Sequence, residues 1–159
     1  MWSNKTKDTC RRIIRILMVV IGMFLLLVAL GIPVINNAIA LGVEKELKAH
    51  PLPADTQLIE STSLAGKLMG NGNGMQYFGG ILVKTERTTE ELLSHYGGDS
   101  SQLFRSVWVI PYDNMGDDNV ARHLPFSTKE GGDGYYIVYR CSSDKRPLQG
   151  WLDLDMRGH

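Results

Sequence analysis

Residues 16–35 read ILMVVIGMFLLLVALGIPVI, twenty positions without a charged side chain. At about 1.5 Å per residue, a helix of that length matches the ~30 Å hydrocarbon layer of a bilayer. The stretch is apolar all the way round, so it does not read as the half-buried face of a soluble helix. It reads as a single membrane span, with the lipid bilayer as its partner through residues 16–35.

The charges flanking this run differ in sign. Lys5, Lys7, Arg11, Arg12 and Arg15 stand against Asp8 in residues 1–15, a net charge of +4. Residues 44–159 hold 12 bases and 16 acids, a net −4. A basic segment before the span and an acidic domain after it follow the positive-inside pattern, with the N-terminus cytoplasmic and the domain outside the cell membrane. An acidic domain also argues against nucleic acid as a partner, because phosphate neutralisation needs a basic surface. The alternative for the N-terminus is a secreted protein with a cleaved signal peptide. Ala38-Ile39-Ala40 fits a small-x-small cleavage site, but the apolar run is longer than the usual signal core.

Beyond Pro33, which kinks or ends the straight part of the span, helical sequence runs on to about residue 49. His50-Pro51-Leu52-Pro53 then stops it, since two prolines in three residues favour extended chain. Residues 50–53 are expected to be a stalk, and 54–159 one extracytoplasmic domain. Residues 56–69 read as a strand broken by Gly66. In the strand expected over 75–85, Tyr77, Ile81 and Val83 fall on one face and Phe78 and Leu82 on the other. The Asn/Gly run 70–74 between them predicts a hairpin turn. Gly79 and Gly80 inside the second strand point to a bulge, a bend or a close backbone approach.

Thr88 and Glu91 have capping-box spacing, so a helix starts at Thr88, with Leu92, Leu93 and Tyr96 as its inward stripe and Gly97-Gly98 as its end. Residues 103–112 hold the buried-strand run Val107-Trp108-Val109-Ile110, and residues 113–119 a polar loop. Residues 135–141 form another strand. The alternation of Leu152, Leu154 and Met156 against Asp153 and Asp155 predicts a last one. The expected order is β-β-α-β-β-β: an α+β domain with a mostly antiparallel sheet and one packed helix.

No stretch carries a catalytic or cofactor signature. The glycines at 70, 72 and 74 precede a strand rather than the helix that a phosphate cradle needs. Asp113, Asp117 and Asp118 can offer oxygens to a metal ion, but Met115 interrupts the ligand spacing of a calcium loop. The four histidines are scattered, and no G-x-S-x-G elbow occurs. Cys141 reads as a small buried hydrophobe or an intermolecular pairing site, and Cys10 as an idle thiol or an acylation site. Asn71 and Asn73 in the turn, and Tyr136 and Tyr139 on opposite faces of their strand, are the candidate contacts for an envelope protein partner.

Several segments together resemble a group of small, uncharacterised, membrane-anchored bacterial proteins. They are the anchor, LPADT at 52–56, GKLMGNGNGM at 66–75, TTEELL at 88–93, YYIVY at 135–139 and DMRGH at 155–159. The resemblance implies a bacterial envelope location and one α+β domain. It brings no activity, so no functional residue is carried over. Non-catalytic binding or scaffolding at the envelope is the function expected. The alternative is a hydrolase or metal-dependent enzyme whose site is assembled from residues distant in sequence.

Overall fold

The computed structural model describes residues 4–69, 74–97, 107–129, 131–142 and 149–155. Helix α1, Asn4–Ala49, runs for 46 residues with Pro33 inside it. Strands β1 (Thr56–Gly66) and β2 (Gln76–Thr85) follow, then α2 (Thr89–Gly97), β3 (Val107–Pro111) and β4 (Tyr135–Ser142). A one-turn helix, α3, closes the described chain at Gln149–Leu152. The four strands form one antiparallel sheet in the order β1-β2-β4-β3. The domain is therefore α+β, as the pattern of the sequence predicts.

The β1–β2 hairpin is present, with Gly66 opposite Gln76. Its turn residues 70–73, Asn71 and Asn73 among them, lie outside the described residues. β1 ends at Gly66 rather than Met69 because a side chain takes over from the ladder. Gln76 Oε1 accepts from the amides of Leu68 and Met69 at 3.0 and 2.8 Å, and Gln76 Nε2 donates to Met69 O at 2.7 Å. The capping box of α2 forms as expected: Glu91 N donates to Thr88 Oγ1, and Thr88 N donates to Glu91 Oε2. Leu92 and Tyr96 are fully buried, whereas Leu93 faces outward. A helix of nine residues lays down one seam, and the i, i+4 pair fills it.

Two findings depart from the expected boundaries. The first concerns the end of the chain: residues 149–155 are not a strand. Leu154 N donates to Trp151 O and Asp155 N to Leu152 O, both short-range helical-turn bonds. The expected alternation breaks down: Leu152 is buried, but Leu154 is exposed and Asp155 buried. The second concerns the start of the domain. Ala40, Val43 and Leu47 of α1 are all at most 2 % exposed, so the core begins well before the prolines of 50–53.

Both faces of the sheet are covered. On one, Leu47 of α1 and Leu92 and Tyr96 of α2 pack on Ile81, Val83, Val109 and Val138. Toward the hairpin end of that face, Ala40 and Val43 meet Ala65, Met75 and Tyr77. On the other face Phe78, Leu82, Ile137 and Tyr139 are covered by Val120, Ala121 and Leu124, which come from the irregular stretch after β3.

Candidate functional site

The feature that dominates the molecule is the seat of α1 on the sheet. Large apolar side chains from Ile13 to Leu27 are about half or more exposed, as on a helix with nothing around it. Burial starts at Val28, Gly31 and Ile32 and continues through Asn36, Ala40, Val43 and Leu47, a stripe at helical spacing. One helix thus changes, without a break, from an exposed apolar rod into a core element. It is long and apolar enough to cross a membrane, and it lies near the N-terminus. A membrane anchor and a signal sequence both fit that description.

Three polar contacts fix the helix in register. Gly79 of β2 lets the α1 backbone lie directly on the strand. Beside it, Ser61 Oγ donates to Glu44 Oε1 at 2.6 Å, and Lys48 pairs with the same carboxylate at 3.8 Å. Across the sheet the buried Arg140 guanidinium donates to Glu46 Oε2 at 2.8 Å. The third contact sits just past the end of the apolar run. Asn36 is fully buried; its amide donates to Leu152 O at 3.1 Å and to Asp155 Oδ2 at 2.8 Å, and its Oδ1 accepts from Tyr77 Oη at 3.0 Å. This lock ties α1, β2 and the segment after α3 together. The same segment holds the hairpin base, because Met75 N donates to Asp153 Oδ1 and Lys67 Nζ to Asp153 O. The sequence signal for the lock is an asparagine directly after twenty uncharged residues.

Next to this seat, a groove of about 490 Å³ runs between α1 and β1, lined by Ala38, Ala40 and Leu41 on the helix and Ser63, Leu64 and Ala65 on the strand. β1 is an edge strand, so its outer side faces no other strand among the described residues. A groove of this kind can accept an extended chain by adding it to the sheet edge. A second, more polar hollow of about 690 Å³ opens at the far end of β2, between Asp55, Lys84, Glu86, Asp133 and Tyr136.

The residues singled out from sequence are dispersed. Tyr136 lines the far polar hollow. Tyr139 does not contribute to an exposed aromatic patch: it is 2 % exposed, stacks on Trp108 at 5.3 Å, and its hydroxyl donates to Asp118. Burial, then the Asp118 charge, pushes its phenol well above the ordinary value. The strand alternation leaves Tyr136 partly exposed and points Tyr139 under the cover of residues 120–124.

Asp118 also accepts from the amides of Val120 and Ala121, acting as a turn cap, while Asp113 and Asp117 are exposed. Among the described residues no three His, Cys, Asp or Glu side chains come together to hold a metal ion. Cys10 and Cys141 are free thiols, and burial pushes that of Cys141 up to about 11. His50 and His95 lie edge to face at 5.0 Å, and both rings reach Pro51 O. They pin the 50–53 segment to α2.

No family model, curated protein or solved structure matches this chain.

Proposed function

We propose that the chain is a single-pass membrane protein of the bacterial envelope, N-terminus cytoplasmic, whose α+β domain serves as a non-catalytic binding or scaffolding module outside the membrane. The observation that carries this reading is the continuity of α1: the apolar rod and the core strap are the same helix. A cleaved signal would have to be cut in an extended segment, whereas Ala40 is 1 % exposed inside a helix and Asn36 upstream of it holds Tyr77 and Asp155. The +4 segment before the run and the −4 domain after it support the orientation. A tag at the N-terminus should survive protease added to cells whose outer wall has been opened, and a tag at the C-terminus should be lost. Protection of both tags would overturn the orientation, and a soluble product starting at Leu41 would overturn the anchor.

The surface we assign to the envelope partner is the groove between α1 and β1. It opens a few residues beyond the end of the apolar run, so its occupant must itself lie at the membrane surface. An extended segment just outside the span of another membrane protein meets that requirement. A photoreactive residue at Ser63 should cross-link to a membrane protein, one at Glu90 on α2 should not, and Leu41→Arg should abolish the product. Equal cross-linking at both positions would sink the assignment.

A further inference from the structure

We infer that the segment at Gln149–Asp155 is a second membrane contact, with Trp151 and Leu154 seated in the lipid beside α1. This rests on the reading of α1 as a membrane anchor. The uncharged run extends to Ile35, yet the domain already covers α1 at Val28 and Ile32, and Ile32 is 9 % exposed where its neighbours Leu30 and Val34 are 61 % and 67 %. A cleft of about 380 Å³ at this level is lined by Leu25, Val28, Ala29 and Ile32 together with Leu154. Leu25 and Asn36 are eleven residues apart, roughly 16 Å along a helix. The Asn36 lock therefore marks one end of the segment's footprint, and Leu154 reaches from there back along the apolar run.

The exposures fit lipid and not water. Trp151 is 58 % exposed and Leu154 59 % exposed, while Leu152 between them is buried and fills the contact with the domain. Asp155 also borders the cleft, where its carboxylate accepts from the Asn36 amide. Asp153 is likewise held, by the Met75 amide. So the outward side of this turn shows an indole and an isobutyl group, and the two acids within it are both engaged on the protein side. An amphipathic indole beside a span is the usual occupant of the membrane–water interface. The occupant is lipid, because the cleft is continuous with the exposed apolar surface of α1 that the bilayer covers.

The test uses the full chain with Cys10→Ser and Cys141→Ala, reconstituted in phosphatidylethanolamine/phosphatidylglycerol vesicles. Single cysteines carrying a nitroxide are placed at Trp151, at Leu154, at Val19 within the apolar run and at Glu90 on α2. The labels at 151 and 154 should be accessible to oxygen and shielded from a water-soluble nickel complex, as at 19 and unlike 90. In the chain with native cysteines, brominated lipids should quench more fluorescence from the wild type than from Trp151→Phe. Labels at 151 and 154 as open to nickel as at 90, with 19 still shielded, would overturn this inference and leave the anchor standing. Nickel access at 19 as well would overturn both.

Discussion

The backbone of Glu44 lies directly against Gly79. A methyl group built on Gly79 would sit 2.5 Å from the Glu44 amide nitrogen and 2.6 Å from its Cα. No side-chain rotation relieves such a contact, because both partners are backbone within regular elements. Glycine is required here for close approach: it lets a long helix rest on the sheet at the level where its own carboxylate reaches Ser61.

Gly79→Ala should therefore force α1 off the sheet and destabilise the fold by about 1–3 kcal/mol or more, as overpacking does. Gly80→Ala, one residue on and facing the opposite side, meets side chains rather than backbone: Leu124 at 3.0 Å, Phe126 at 3.3 Å and Thr62 at 3.6 Å. These can give way, so its melting temperature in detergent should lie much nearer the wild type. Equal losses at the two positions would contradict the helix seat.

The same seat decides where the folding unit begins. A fragment of residues 53–159 lacks Ala40, Val43 and Leu47, and should aggregate or melt without cooperativity. A fragment of residues 34–159 keeps them and should unfold cooperatively on heating. Within the full chain, Leu47→Ala should cost about 2–5 kcal/mol, the range for truncating a fully buried leucine. A cooperative transition in the 53–159 fragment would show that the sheet does not need the helix.

Asn36→Leu keeps the size of the side chain and removes every hydrogen bond of the lock. Tyr77 and Asp155 then each lose the buried hydrogen bond to Asn36, a cost of about 1–3 kcal/mol or more. Limited proteolysis should then cut within residues 149–155 before any other described segment. A cleavage pattern identical to the wild type would mean that the segment is held by other contacts.

Two buried phenols should lower the stability of the fold at alkaline pH. Burial pushes Tyr96 from its ordinary value near 10 up to about 12, and Tyr139 is raised as well, by burial and by Asp118. Because the folded state favours the protonated phenols, their contribution is complete below about pH 10. It is lost as the pH climbs through the folded values, by at most about 1.4 kcal/mol per pH unit for each group. The Tyr96 hydroxyl has no hydrogen-bond partner among the described residues. Tyr96→Phe should accordingly leave the melting temperature at pH 7 unchanged or higher, and make its decline between pH 10 and 12 shallower. A slope as steep as the wild type would place the alkaline transition elsewhere.

Much of the fold was legible in the sequence. The period-two faces of β2 and the Thr88–Glu91 box are local signals, and local bonds satisfy them as expected. What could not be read depends on contacts between distant residues. The apolar run of α1 ends at Ile35, and nothing in residues 36–49 distinguishes a helix that leaves the bilayer into water from one that lies on a sheet. That difference is made by Gly79, some forty residues later. The last segment alternates apolar and acidic residues as a strand would, but Asn36 draws Asp155 inward and turns Leu154 out. That Tyr139 is covered rather than free to contact a partner is not visible in the sequence, because its cover, Val120 to Leu124, follows a polar loop with no periodicity. The groove along β1 needs strand order as well as sequence, since it is the order β1-β2-β4-β3 that places β1 at an edge.

If one continuous helix mounts the sheet on the membrane as a rigid unit, the distance between the apolar run and α2 is fixed. Nitroxides at Leu30, in the apolar run, and at Glu90, on α2, measure it directly in the reconstituted full chain with Cys10→Ser and Cys141→Ala. Both positions are exposed, and α1 joins them through Pro33 and the Gly79 contact. Pulsed electron–electron resonance should give a single narrow distance distribution, broadening when Gly79→Val is introduced. A broad distribution in the chain with Gly79 intact would mean that the domain swings on a hinge at Pro33 or beyond, and would contradict the account.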